Sequence, residues 1–151
     1  MNERIKGLYQ KHILAKSKEV QLVGKLADYT HALEAYNPMC GDQYTVYLRL
    51  LEDRVEDARF EGYGCAISKA STAVLAELVI GKTLVEIGPL ITSFLELIDE
   101  DSLNEPEAIT TNEQLLAFAA ARDFPERKAC ASLSWERVNE YLNEVNGTDG
   151  A

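Results

Sequence analysis

No apolar run in this 151-residue sequence approaches the roughly 18 residues that a membrane-spanning helix needs, because Lys, Glu or Gly interrupts each one. The opening Met1-Asn2-Glu3-Arg4 is not followed by an apolar signal-peptide core, so the expectation is an unexported, cytoplasmic chain. Positive charge is short as well. With 15 Lys+Arg against 25 Asp+Glu the formal net charge is −10, which sets most of the surface against a nucleic-acid backbone or an anionic membrane. Cysteine is scarce: there are 3, an odd number, with no C-x-x-C pair. That excludes a disulfide framework and leaves thiol or metal chemistry in a reducing compartment. There is no internal repeat, low-complexity tract or second domain. The chain reads as one domain over residues 1–147 with a flexible tail at 148–151, long enough to bury a core without covalent staples.

What is present is an ordered series of periodic segments. Residues 3–15 set Ile5, Leu8, Tyr9, His12 and Ile13 three and four apart, one face of an amphipathic helix. Lys16-Ser17-Lys18-Glu19 reads as polar, and residues 20–26 as a connection ending near Gly24. Residues 29–36 alternate small and apolar side chains and read as a strand that Asn37-Pro38 ends. Residues 44–50 are β-branched and aromatic, and residues 55–61 alternate apolar with charged. Joined by Glu52-Asp53-Arg54, these two segments predict an antiparallel hairpin whose apolar face needs helices over it.

A buried helix is expected over residues 66–80, stopped by Gly81. Thr83-Leu84-Val85-Glu86 matches a capping box and starts a helix through Ile98, with a distortion expected at Gly88-Pro89. Residues 99–107 form an acidic surface loop, and Thr111-Asn112-Glu113-Gln114 repeats the capping-box pattern for a helix closed by Phe124-Pro125. The last helix is expected over residues 126–145, ended by Gly147, with a buried stripe of Leu133 or Ser134, Val138, Tyr141, Leu142 and Val145. The expected fold is therefore α+β, a small three-stranded antiparallel sheet covered by about five helices.

The chemistry concentrates at Cys40 and Asp42, two residues apart in the turn Asn37-Pro38-Met39-Cys40-Gly41-Asp42. The hairpin returns Cys65 towards Asp42, and Cys65 and Cys130 each fall at the start of a helix, where free N–H groups favour thiolate over thiol. Three thiolates and a carboxylate suit zinc or an iron–sulfur cluster. Such a zinc site carries formal charge −2, and Arg127, three residues before Cys130, is the candidate compensating cation. Spacing alone leaves two readings open, this four-ligand site or three separately packed or free thiols. Asp42 can equally cap its turn. His12 reads as a packed or rim histidine and Trp135 as helix packing, while His31 is either a half-exposed strand residue or a neighbour of the site.

Three blocks resemble the IscU/NifU N-terminal family: Asn37-Pro38-Met39-Cys40-Gly41-Asp42, residues 55–68 with Gly62-Tyr63-Gly64-Cys65, and residues 127–135 with Cys130 and Trp135. The similarity spans residues 29–141 and is closest to the SufU branch, since Ala129 stands where the IscU branch has His and 64 residues separate Cys65 from Cys130. Lys128 lies one position further from Cys130 than in that branch, and residues 16–22 also depart from it. The resemblance implies an α+β fold and zinc held by Cys40, Asp42, Cys65 and Cys130. It implies that Cys40 accepts persulfide sulfur from a SufS-type cysteine desulfurase and passes it to downstream iron–sulfur assembly proteins. The sulfurtransferase reading has two alternatives, an iron–sulfur cluster assembly scaffold holding a transient cluster and a purely structural zinc domain whose metal never exchanges a ligand.

Overall fold

The antiparallel meander β1 (His31–Asn37), β2 (Asp42–Leu51) and β3 (Arg54–Tyr63) forms the sheet, in that order. The computed structural model describes residues 3–146. In β2 the side chains of Tyr44, Val46 and Leu48 alternate to one buried face, and Leu33, Ala35, Ala58 and Phe60 extend that face across the flanking strands. The β2–β3 connection is the two residues Glu52-Asp53, with Leu51 opposite Arg54, so Arg54 belongs to the strand rather than to the turn.

Helix α3 (Ala66–Val79) lies against β3, α7 (Lys128–Asn146) against β1, and the two helices pack on one another. Small and hydroxylated residues let them approach closely. Ser71 Oγ donates to the Ala131 carbonyl (2.5 Å), Thr72 and Ser134 share a hydroxyl bond (2.7 Å), and Trp135 Nε1 donates to the Ser71 carbonyl (3.1 Å). Trp135 is fully buried and stacks on Phe94 of α4 (Leu84–Leu97) with ring centres 3.9 Å apart. It is a packing residue, as its sequence position suggests.

The N-terminal helix runs on to Ser17, two residues past the expected end, as α1 (Glu3–Leu8), a π-helical turn (Tyr9–Ile13) and α2 (Leu14–Ser17). Lys16 is accordingly not part of a polar linker. It is buried with its ammonium on Glu77 and on Glu19 (3.0 Å). Helix α4 opens with the expected capping box: Glu86 N donates to Thr83 Oγ1 (3.2 Å), and Thr83 N donates to Glu86 Oε1 (2.8 Å). Thr83→Ala is expected to cost about 1 kcal/mol, read as a lower urea midpoint at unchanged slope. The helix then continues unbroken through Pro89. The carbonyl that Pro89 cannot serve belongs to Val85, a residue 83 % exposed.

The five expected helical runs all form, and a one-turn helix α5 (Pro106–Ile109) is added within the acidic segment, with Pro106 in its first turn. The second capping box does not form. Asn112, not Thr111, caps α6 (Glu113–Leu116) by accepting from Leu115 N (3.1 Å), and a 3-10 stretch (Ala117–Asp123) continues the run to Phe124. Asn is at least as good a cap as Thr, so a one-residue shift decides the pattern. Val145 is 51 % exposed and leaves the proposed stripe. Tyr141 already packs on His31, the first residue of β1, so the last turn of α7 outruns the sheet. Gly147 and the proposed tail lie outside the described residues. Among those residues no helix is long and apolar enough to cross a membrane.

Candidate metal centre

The β1–β2 turn is built by its own side chains. Met39 N donates to Asn37 Oδ1 (3.0 Å), Gly41 N donates to the Asn37 carbonyl (2.8 Å), and Gly41 adopts φ 77°, a left-handed conformation that glycine takes without a Cβ penalty. The turn lifts Cys40 to an exposed tip and returns the chain so that Asp42 opens β2 pointing inward, only 2 % exposed. At the matching end of β3, Tyr63 is followed by Gly64 and by Cys65, the residue that precedes the first turn of α3. Cys65 N donates to Asp42 Oδ1 (3.1 Å), so the hairpin does return Cys65 to Asp42. Cys130 arrives from the first turn of α7 and is buried.

Cys40 Sγ donates to Asp42 Oδ2 at 3.0 Å and lies 3.9 Å from Cys130 Sγ. One ligand atom from each of Cys40, Asp42 and Cys130 lies within 4.8 Å of the others. Two thiolates on a tetrahedral zinc, at about 2.3 Å each, stand roughly 3.8 Å apart, so this pair fits the metal without rearrangement. The Cys65 sulfur is outside this trio; its thiol faces Ser68 Oγ at 3.8 Å. Of the four residues singled out in the sequence, three form the close trio, and Cys65 joins them through its backbone N–H on Asp42 and through its thiol beside Cys130.

Electrostatics departs from the expectation that helix N-termini favour the thiolates. Burial pushes the Cys130 thiol well up, and the neighbouring Cys65 and Asp42 push it further. Burial first, and then these negative neighbours, therefore favour the protonated thiol. Burial also raises Tyr44 to about 12, against the bond to Ser68 and reinforced by Asp42, which keeps the phenol neutral beside the site.

Arg127 is exposed, on an open cleft of about 560 Å³ that it lines with Tyr9, Cys65 and Phe124. Its charge is felt at Tyr9, where it opposes the rise that burial causes. Lys128 turns away to Glu100 (3.1 Å) and Asp99 (3.5 Å). His31 pairs with Leu48 at the far end of β1 from Cys40, with its ring between Thr30 Oγ1 (2.9 Å) and the Tyr141 hydroxyl (3.1 Å), so it does not approach the site. His12 is half-buried, with Nε2 enclosed and without a hydrogen-bond partner among the described residues.

Two neighbours of the site escaped sequence reasoning. Tyr44 and Ser68 are both buried and share a hydroxyl bond of 2.8 Å. Their positions carried a signal, since Tyr44 lies two residues after Asp42 on the same strand face and Ser68 one helical turn after Cys65.

Comparison with known proteins places this geometry. The family profile of the NifU-like N terminal domain matches residues 8–140, a span that includes all four candidate ligands. The chain is 31 % identical over 141 residues to the iron–sulfur cluster assembly scaffold protein IscU of Thermotoga maritima, covering 93 % of this chain and 96 % of that protein. It is 29 % identical over 146 residues to the zinc-dependent sulfurtransferase SufU of Bacillus subtilis, covering 97 % of each. Among solved structures it superposes with a TM-score of 0.76 at 30 % identity on FiSufU from Fervidobacterium islandicum AW-1, described as an iron–sulfur cluster assembly scaffold protein for the SUF system, over 90 % of this chain and 97 % of that one. The three-stranded meander under its helices and the profile match agree, and the chain belongs to the NifU-like N-terminal domain family, in the company of iron–sulfur cluster assembly proteins of the IscU and SufU kinds.

Proposed function

We propose that the protein is a zinc-dependent sulfur acceptor, which takes persulfide sulfur from a SufS-type cysteine desulfurase through Cys40 and hands it on to iron–sulfur cluster assembly. The observation that carries this reading is the exposure gradient across one cluster: Cys40 stands exposed at a turn tip while its partners Asp42 and Cys130 are buried. A transfer thiol has to meet another protein's sulfur, whereas anchoring ligands do not.

Zinc would be held by Cys40, Asp42, Cys65 and Cys130, and when bound it supplies positive charge that keeps thiolates deprotonated at neutral pH. The chain's own residues do the rest. Asp42 Oδ2, 3.0 Å from Cys40 Sγ, orients that sulfur and would share the metal with it. The Cys40 thiolate attacks the terminal sulfur of the donor persulfide. A new sulfur–sulfur bond forms at Cys40, the old one breaks, and the donor cysteine leaves as a thiolate with the bonding pair, so no external oxidant or reductant is needed. Tyr36, Met39 (92 % exposed) and Tyr63 around Cys40 offer the donor an apolar rim.

Arg127, on the cleft beside Cys65, is placed to meet negative charge as a persulfide arrives. Arg127→Ala is expected to slow sulfur acceptance about tenfold at low ionic strength, with a smaller effect as salt is raised. Unchanged turnover and unchanged zinc retention would make Arg127 a plain surface residue.

The scaffold reading is favoured by the identity to the Thermotoga maritima IscU, because the cysteines and Asp42 serve either role. Desulfurase turnover with and without the protein, with mass-spectrometric location of the persulfide, tests sulfur acceptance. Anaerobic reconstitution with iron and sulfide, followed by transfer to an apo-ferredoxin, tests the scaffold. Persulfide on Cys40 with faster turnover supports the proposal, and cluster transfer without either supports the alternative.

A further inference from the structure

Cys65 is held differently from the other candidate ligands. Its backbone is fixed on both sides: the N–H donates to Asp42 Oδ1 (3.1 Å), and the carbonyl accepts from Lys69 N (3.0 Å) and from Ser68 Oγ (3.1 Å). Its sulfur lies outside the close trio and faces the same Ser68 hydroxyl at 3.8 Å. Ser68 Oγ in turn bonds the Tyr44 hydroxyl at 2.8 Å, and both residues are almost wholly buried.

The backbone is shaped to admit this pair. A Cβ on Gly62 would stand 2.7 Å from Tyr44 Cα and 2.9 Å from Tyr44 Cδ1. A Cβ on Gly64 would stand 2.5 Å from Asp42 Oδ1, 2.7 Å from the Tyr44 hydroxyl oxygen, and closer still to Ser68 Oγ. The two glycines of Gly62-Tyr63-Gly64 therefore clear the path of the Tyr44 ring and the point where its hydroxyl meets Ser68, beside the Asp42 carboxylate. A buried hydroxyl is unfavourable unless it is bonded, and phenylalanine would fill the same apolar volume without one.

We infer that Tyr44 and Ser68 form a hydroxyl relay that positions Cys65 within the metal site. Tyr44 donates to Ser68 Oγ, which leaves the single Ser68 proton for the Cys65 carbonyl, while the Cys65 thiol points at the same oxygen. Neither residue is a ligand; both act through Cys65, as outer hydrogen-bond partners do in metal sites. The inference rests on the metal reading for its affinity arm and stands apart from it in its alkylation arm.

The test uses the full chain as Tyr44→Phe, Ser68→Ala and the double variant. Metal-stripped proteins are titrated with cobalt(II), reading the thiolate-to-cobalt charge-transfer band, and then with zinc against a chelator. The expected result is about tenfold weaker zinc binding and a weaker or shifted cobalt band in Tyr44→Phe, with the double variant no worse than Ser68→Ala. In parallel, iodoacetamide labelling of metal-free protein, resolved by peptide mass spectrometry, is expected to modify Cys65 several-fold faster in Tyr44→Phe and Cys40 at an unchanged rate. Tyr44→Phe keeps the ring, so the result does not depend on Ser68→Ala folding. A Tyr44→Phe protein with wild-type cobalt spectrum, zinc affinity and Cys65 labelling overturns the relay. If the wild-type chain shows no thiolate-to-cobalt band, the metal reading falls, and the labelling rates alone decide the relay.

Discussion

Cys40→Ala is expected to reduce desulfurase stimulation to background, a loss of at least about a hundredfold, because no other exposed thiol stands at the site. Cys65 is half-buried and its sulfur faces Ser68; Cys130 is buried, and its thiol is pushed up by burial and by its negative neighbours. Neither can meet an incoming persulfide in the way the turn-tip Cys40 can. The same substitution should leave stability within about 0.5 kcal/mol of wild type in the metal-free protein, since the removed side chain is exposed and Asp42 keeps its bond from Cys65 N. Turnover of the desulfurase and mass-spectrometric persulfide mapping read the first effect, and urea unfolding reads the second. Stimulation retained by Cys40→Ala would remove Cys40 from the acceptor role.

Gly64→Ala is expected to destabilise the fold by about 2 kcal/mol and to weaken zinc binding by at least about tenfold. Its Cβ would intrude on Asp42 Oδ1 and the Tyr44 and Ser68 hydroxyls together, three buried polar atoms with no solvent to retreat into. Asp42 would have to shift, and with it the carboxylate that both Cys40 Sγ and Cys65 N contact. Gly41→Ala is the control. Gly41 has φ 77° with nothing within 4 Å of an added Cβ, so it should lose only the backbone preference, about 1 kcal/mol, with the site intact. Equal zinc affinity in the two variants would mean that the crowding at Gly64 does not reach the site.

The sequence made the sheet and the meeting of Cys40, Asp42 and Cys65 at one end of the hairpin legible because each rests on local chemistry, whereas Cys130, 90 positions from Cys40, joined them only through the family resemblance. Alternation fixes which face of β2 is buried, Asn37-Pro38 and Gly41 fix the turn, and a short hairpin must bring its two ends together. Less legible were features decided by tertiary neighbours. Lys16 looks like a linker residue until Glu77, 61 positions away, supplies its counter-charge. The Cys130 thiol follows its buried, negative surroundings rather than its helix position. Gly62 and Gly64 stood in the sequence only as part of the block before Cys65, and the reason for them became visible only with the Tyr44 ring and the Ser68 and Asp42 side chains beside them. Thr111 against Asn112 shows the limit of motif reading, since overlapping caps differ by one residue and by little energy.

Metal content and the absorption spectrum of anaerobically purified protein, taken beside Asp42→Ala, test the central claim most directly. The expected result is a colourless protein holding one zinc per chain, with the metal readily lost from Asp42→Ala, because that carboxylate both faces Cys40 and anchors Cys65. A brown protein carrying iron and acid-labile sulfide, or one that retains no metal at all, would contradict the zinc-dependent sulfur acceptor.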